Sequence, residues 1–288
     1  MNKKWILITG VCAIVLASAL MVLKCTASAG QQNPLSAQQN TPSRIVSLSP
    51  ASTEILFALG AGNLVAARTD FCNYPAEAQN CPSVGGFDGK TFSLETVLSF
   101  APDLVYLNTV MHGHLVQSLT ELGITVYASD AQSIADIYTE ILEVGAITGK
   151  KENAEKLVDS MKKRIEKPSK ASNMSVYWEV WNAPYMSIGN TSFINEVIQA
   201  SGAQNIFNDI SASYPVVSEE SIIARNPSII LLPSDSPETL DTIQGRSGWD
   251  CIDAVKNNRV YKINGDIISR PGPRLAEAVE AIRACLSQ

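Results

Sequence analysis

His112 and His114 stand either side of one glycine and are the chain's two histidines. Imidazoles at that spacing could give a metal two ligands, or bring one ring nitrogen to the metal of a bound cofactor. The other reading is a pair of surface or helix-capping histidines. A metal-dependent enzyme or metal carrier needs carboxylates or thiolates beside them, and the sequence clusters none there. The chain also lacks a G-x-S-x-G elbow, an H-E-x-x-H pair, a Walker loop and a G-x-G-x-x-G turn. No catalytic residue and no metal site is assigned, and the expectation is a protein that is not an enzyme. Binding chemistry is better represented. Phe71, Tyr74, Phe87, Trp178, Trp181, Tyr185 and Tyr214 fall in or beside loops rather than inside long apolar strands. Aromatic rings at the carboxyl ends of parallel strands can wall a cleft for a large, flat, mostly apolar ligand with polar edges. Each alone could be a core residue. Trp178 reads as core; Phe71, Trp181 and Tyr185 read as a cleft group.

An internal repeat supplies the elements that must position these residues. Ser93–Leu107 aligns without a gap on Ser218–Leu232, 125 residues later. Each copy opens on a capping serine, carries a glutamate two residues on (Glu95, Glu220), and runs through a short apolar helix. A proline (Pro102, Pro227) then ends the helix before an apolar strand. A second pair precedes it in the same order: Leu59–Leu64 and Ser201–Ile206, each ending a helix at a glycine. Two copies predict an α/β protein of two similar lobes, each a small parallel sheet flanked by helices. The N-terminal lobe is expected over 44–132 and the C-terminal lobe over 174–288. Further signals are a strand at Arg44–Leu48, a helix from Pro50 to Gly60, a helix over His112–Leu122 and a strand at Ile124–Tyr127. From Ser133 to Lys167 apolar residues recur at helical spacing. This predicts one long bridging helix over 133–168, with Gly149-Lys150-Lys151 as a point for a kink.

Lys3 and Lys4 precede an uncharged run from Trp5 to Leu23, and Ala27-Ser28-Ala29 follows. That order predicts a signal peptide or membrane anchor over residues 1–29, cleaved, lipid-attached or retained. Cys25 is a candidate for lipidation, with Lys24 where such sites favour a small residue. Residues 30–43, rich in Gln, Asn, Ser and Pro, read as a polar tether. Removing residues 1–29 takes three lysines from 22 basic and 28 acidic residues, leaving a net charge of −9. That balance argues against nucleic-acid binding. Beyond the leader, Cys72 and Cys81 fall in one lobe and Cys251 and Cys285 in the other, which suits two disulfides in an oxidising compartment. Four buried thiols are the alternative.

Six phrases in order carry a family resemblance: Ser47–Glu54, Asp70–Pro75, Val84–Phe87, Ala101–Val105, Pro215–Glu220 and Ser269–Arg274. With them the chain resembles the substrate-binding proteins of ABC importers for cobalamin and for iron–siderophore or haem. Ser-Pro-Ala-Ser-Thr-Glu, Asn-Tyr-Pro and Arg-Pro-Gly-Pro-Arg look most like the cobalamin branch. The resemblance covers about residues 44 to 286. It implies two lobes joined by one long helix and a transported corrinoid rather than a resident cofactor. It further implies a monomeric receptor, periplasmic or anchored outside the cytoplasmic membrane, that serves a permease dimer with ATPase subunits. Ligand contacts carry over to Ser49, Pro50, Phe71, Phe87, Trp181, Tyr185, Asp266, Ile267, Ile268, Ser269 and Arg270. Permease docking carries over to Glu95 and Glu220. The chain departs from the cobalamin pattern with Phe71 and Phe87 in place of Tyr and Trp, and Ile267-Ile268 in place of an aromatic pair. A ferric siderophore or haem is the alternative ligand; anionic siderophores call for cleft arginines, for which Arg68, Arg246, Arg270 and Arg274 are the candidates.

Overall fold

Four parallel strands make the sheet of the first lobe in a computed structural model that describes residues 41–87, 91, 93–167 and 174–288. They are β1 (Ile45–Ser47), β2 (Val65–Arg68), β3 (Leu104–Asn108) and β4 (Thr125–Ser129), in the order β2-β1-β3-β4. The second lobe begins with β5 (Ser175–Trp178), inserts a small antiparallel hairpin of β6 (Trp181–Asn182) and β7 (Tyr185–Met186), and adds β8 (Gln204–Asn205), β9 (Ile229–Pro233) and β10 (Val260–Ile263). Its parallel sheet runs β8-β5-β9-β10, the topology of the first lobe strand for strand. The fold is α/β with two similar lobes. The expected leader over 1–29, with Cys12 and Cys25, and the tether up to residue 40 lie outside the described residues.

Helices fill the sheet faces. The first lobe has α1 (Pro50–Ala58), α2 (Leu94–Ser99), α3 (Thr109–His112) and α4 (Val116–Glu121); α5 (Ile134–Ile147) and α6 (Lys151–Ile165) follow. The second lobe has α7 (Phe193–Ala200), α8 (Glu219–Arg225), α9 (Leu240–Gln244), α10 (Asp253–Lys256), α11 (Gly265–Ser269) and α12 (Leu275–Leu286). Successive strand residues point to opposite faces, so Ile45 and Val46, or Ile229 and Ile230, enter different apolar clusters. Both faces are covered at the central strands β3 and β9, which is why Leu104–Leu107 and Ile229–Leu232 read as unbroken apolar runs. One cluster holds Ile55 and Tyr106 of the first lobe, Ile141 and Met161 of the connecting helices, and Val176, Ile194 and Val279 of the second.

The repeat is visible in backbone detail. Ser93 and Ser218 cap α2 and α8, each hydroxyl accepting from the N–H three residues on. After the two helices Ala101 and Asn226, 125 residues apart, both take left-handed backbone, at φ 47° and 43°. Asn tolerates that region, whereas Ala is strained there by about 1 kcal/mol. The next side chains fasten the first strand of each lobe. Asp103 accepts from the Ser43 N–H (2.7 Å) and hydroxyl (2.7 Å) and the Arg44 N–H (3.0 Å). Ser228 and Ser175 pair through their hydroxyls at 3.2 Å. Ser43 is therefore part of the folded lobe, one residue ahead of the expected start. Gly60 and Gly202 end α1 and α7 at φ 73° and 95°, as the paired glycine caps predict.

Two expected helices are corrected. The run from 133 to 168 is not one helix: α5 stops at Thr148, Gly149 turns at φ 69°, and α6 folds back along α5. The free ends of the pair touch the second lobe. The Ile134 N–H donates to Glu196 at 2.8 Å, and Arg164 grips Glu280 at 2.9 and 2.7 Å. The joined ends touch the first lobe, where Asn153 donates to the Leu59 carbonyl at 2.8 Å. A Cβ on Gly145 would collide with the Ala154 Cβ, so a glycine there lets the two helices close on each other. The helix expected over His112–Leu122 starts earlier, at Thr109, because the Asn108 side chain caps it through the Met111 N–H, and a 3-10 turn at Gly113–Leu115 splits it.

The disulfides are a further correction: Cys72, Cys81, Cys251 and Cys285 are free thiols. Cys72 is buried with its sulfur 3.2 Å from the Thr69 hydroxyl, and burial pushes the Cys81 thiol above its ordinary range. Cys251 and Cys285 belong to opposite sides of the second sheet. Cys285 lies on α12 in the cluster shared by both lobes. Cys251 is exposed in the 3-10 turn whose Trp249 enters the other cluster, and its thiol donates to the Gly248 carbonyl at 3.0 Å.

Candidate ligand-binding site

The second lobe carries a cavity of about 680 Å³ at the carboxyl end of its sheet. Three chain segments that leave parallel strands line it: Trp178–Asn182 after β5, Pro233–Pro237 after β9 and Asn264–Asp266 after β10. Tyr214, Ile194 and Ser269 complete the wall. Trp178 is buried, whereas Trp181 and Tyr214 are exposed by 59% and 48%. These two rings are large apolar surfaces held open to solvent beside a concavity, the arrangement that a flat ligand would cover. The Trp181 indole N–H donates to the Ala183 carbonyl at 2.9 Å, which fixes the ring.

A polar network stiffens the cavity from below. Glu179, directly after β5, accepts both prongs of Arg246 at 2.6 and 2.9 Å. Arg246 also donates to Glu238 at 2.9 Å and lies over the rings of Trp249 and Tyr185. Glu238 receives Asn182 at 2.7 Å and the Thr242 hydroxyl at 2.9 Å. Burial pushes the Glu238 carboxyl up, but the bonds from Thr242 and Arg246 outweigh it and hold the group below its ordinary range. Burial likewise opposes the Arg246 charge, and its bonds to Glu179 reverse that, raising its pKa.

A second ionic centre joins the lobes. Glu54 of α1, 3% exposed, accepts from Arg274 at 2.8 and 2.6 Å and from Arg270 at 2.9 Å. Arg270 also bonds Asn73 at 2.8 Å and Asp266 at 2.7 Å, and Arg274 lies 4.0 Å over the Tyr74 ring. The loop bearing Phe71, Asn73 and Tyr74 thus abuts the α11–α12 segment, and through Arg270 it adjoins the Asp266 edge of the cavity.

Of the residues expected to bind ligand, the cavity gathers Trp181, Asp266 and Ser269. Phe71 is exposed by 58% on the adjoining loop. Ser49 and Pro50 are buried as the cap and first residue of α1. Ile267 and Ile268 are in the shared core, Arg270 is taken by Glu54, Asn73 and Asp266, and Tyr185 packs on Trp249 with its hydroxyl 3.3 Å from Glu219. Phe87 meets the buried His112 edge-on, and its carbonyl is 2.8 Å from the His112 Nε2. His112 is buried and His114 is exposed. Among the described residues no group of three or more His, Cys, Asp or Glu could hold a metal. Glu179, Asn182, Ser234–Pro237 and Asn264 were not among the expected contacts, and Tyr214 was named among the loop aromatics without being assigned to the cleft group. Most of them directly follow β5, β9 or β10, and the rule that ligands sit beyond the carboxyl ends of parallel strands could have found them. Glu95 and Glu220 are exposed in the first turns of α2 and α8. A bond from Ser93 lowers the Glu95 carboxyl, and its own backbone N–H followed by Ser218 lowers that of Glu220.

A family model described as periplasmic binding protein matches residues 45–267. The chain belongs to the periplasmic binding protein family. An uncharacterised ABC transporter substrate-binding lipoprotein of Bacillus subtilis is 31% identical, with 95% of each chain covered. A vitamin B12-binding protein of Vibrio campbellii is 28% identical over 83% of this chain and 87% of its own. A solved structure from Staphylococcus epidermidis, described as a possible iron-binding periplasmic solute-binding protein, is 31% identical. It superposes with a TM-score of 0.76 over 86% of this chain and 100% of its own. This family member is a solute-binding protein of an ABC transporter: it binds a small molecule and delivers it to a permease. No helix among the described residues is long and apolar enough to cross a membrane.

Proposed function

We propose that the protein captures a corrinoid, cobalamin or a close relative, outside the cytoplasmic membrane and hands it to its permease without transforming it. The observation that carries this reading is the charge of the cavity. Glu179, Asp235 and Asp266 line it, and no lysine, arginine or histidine does among the described residues. The four candidate arginines are already paired: Arg246 with Glu179 and Glu238, Arg270 with Glu54 and Asp266, Arg274 with Glu54, and Arg68 with the carbonyls of Ala78, Thr69 and Gln79, so among the lining carboxylates Asp235 is the one that none of these arginines pairs with. A ligand carboxylate about 4 Å from Asp235 would meet repulsion of about 4 kcal/mol near a protein surface, with no cation among the described lining residues to offset it. A corrinoid is fringed by neutral amides that donate to such carboxylates, and its flat ring system suits Trp181 and Tyr214. The similarity to a vitamin B12-binding protein points the same way.

Glu95 and Glu220, one per lobe on matching helices, are the proposed contacts to the two permease subunits. Exposed charges so placed govern orientation and encounter rate more than affinity. The receptor acts as a monomer, exported by the segment over 1–29. The second reading, a ferric siderophore or haem, is favoured by the possible iron-binding description of the Staphylococcus structure. Mixing residues 30–288 with aquocobalamin, haem, a ferric siderophore and zinc separates the readings by absorbance. One cobalamin per protein with quenched tryptophan emission is expected. Absence of both quenching and heat with every corrinoid overturns the assignment.

A further inference from the structure

We propose that Glu238 is a positioning residue for ligand capture: it bolts the hairpin bearing Trp181 to the loop after β9 and so sets the width of the cavity mouth. This rests on the reading that the cavity holds the transported ligand. The hairpin is a sheet of two strands of two residues each, separate from the main sheet. Such a ribbon is marginal without further attachment. On the β7 side it has a neighbour, Met186 bridging to Val216. On the cavity side Asn182 reaches across to Glu238 at 2.7 Å. Asn182 and Pro237 both line the cavity, so this bond spans from one wall to the other.

The chemistry of Glu238 makes it a bolt rather than part of the core. Its side chain is 14% exposed, and donors face both of its oxygens: Asn182 on one, Arg246 and the Thr242 hydroxyl on the other. A carboxylate, acceptor on both oxygens, fits all three donors; a carboxamide turns an N–H₂ onto one side or the other. Removing the Glu238 charge leaves Arg246 paired with Glu179 through two bonds, so no buried charge is stranded. The fold tolerates the change while the bolt is lost.

The test is Glu238→Gln, alone and with Asn182→Asp. In the double variant the carboxamide oxygen at position 238 faces Arg246, and its N–H₂ donates to the new carboxylate at position 182. The bridge is thereby restored with reversed polarity. Two quantities are read: backbone hydrogen exchange of residues 181–186 in the ligand-free protein, and the dissociation constant for cyanocobalamin. Glu238→Gln should speed hairpin exchange and weaken cyanocobalamin binding, each about tenfold, the worth of one charge-assisted hydrogen bond. The double variant should return both toward the parent. Unchanged exchange in the single variant overturns the proposal. So does faster exchange with unchanged affinity, or a double variant that restores neither. A parent protein that binds no corrinoid overturns the corrinoid reading instead, and the exchange data then decide whether the bolt exists.

Discussion

Glu54 and Arg274, 220 residues apart, form a two-pronged ion pair in which both partners are buried. It joins the first helix of one lobe to the segment entering the last helix of the other. Glu54 ends the Ser-Pro-Ala-Ser-Thr-Glu phrase and Arg274 ends Arg-Pro-Gly-Pro-Arg, so two of the three phrases singled out in the sequence meet here, and Tyr74 of the third, Asn-Tyr-Pro, lies under Arg274. Arg270 completes the group.

Breaking this pair should be costly. With Glu54→Gln the buried Arg274 guanidinium keeps only a neutral partner there, while Arg270 retains Asp266, and the loss should be about 3–5 kcal/mol. Urea denaturation reads it as a lower midpoint at unchanged slope. A midpoint equal to the parent's would mean that the pair contributes nothing net.

Trp181→Ala and Tyr214→Ala should each weaken cobalamin binding by about 1–3 kcal/mol if the rings cover the ligand. Calorimetric titration measures it. Phe71, exposed by 58% on the adjoining loop, should behave the same way if a large ligand extends beyond the cavity toward the first lobe. Affinities unchanged in all three variants would remove the cavity from the binding site.

Replacing Glu95 and Glu220 together by Ala should leave folding and ligand affinity near those of the parent and abolish uptake by cells. Both carboxylates are exposed, and neither packs against the core. Normal uptake, or a loss of ligand binding, would rule out the docking role.

Asp103 should account for part of the acid sensitivity. Burial pushes its carboxyl up, while the Ser43 side chain and the Ser43 and Arg44 N–H groups outweigh this and hold it below the ordinary range. A folded-state value below the unfolded one adds stability that is complete above the unfolded value, about 4, and fades as pH falls through the folded one. Asp103→Asn should therefore be less stable at neutral pH, and the gap should close in acid. Urea midpoints across that range give the comparison, and a gap independent of pH would exclude this role for Asp103.

Local signals carried much of the fold into the sequence. Ser93 and Ser218 cap helices because their hydroxyls act within three residues, and Gly60 and Gly202 turn helices by their own backbone freedom. The aromatic character of Trp181 was equally legible, since it stands between loop signals. What escaped depends on distant partners. The fold-back of α5 on α6 needs Gly145 against Ala154. The commitment of Arg246 to Glu179 joins residues 67 positions apart. Tyr185 read as a cleft ring because nothing local shows Trp249 beside it. Cys251 and Cys285 share a lobe but not a face of its sheet, and spacing along the chain cannot show that.

The apolar cluster that draws Ile45 and Ile55, Ile141 and Met161, and Ile194 and Val279 into one body has a consequence for dissecting the molecule. Neither half owns a complete core. A fragment ending after α6 would expose the faces that α7 and α12 cover, and a fragment beginning at β5 would expose the inner sides of those two helices. Severed lobes would collapse or aggregate rather than persist as miniature proteins. Unfolding should be a single cooperative event, with heat and denaturant midpoints the same whichever lobe carries the probe.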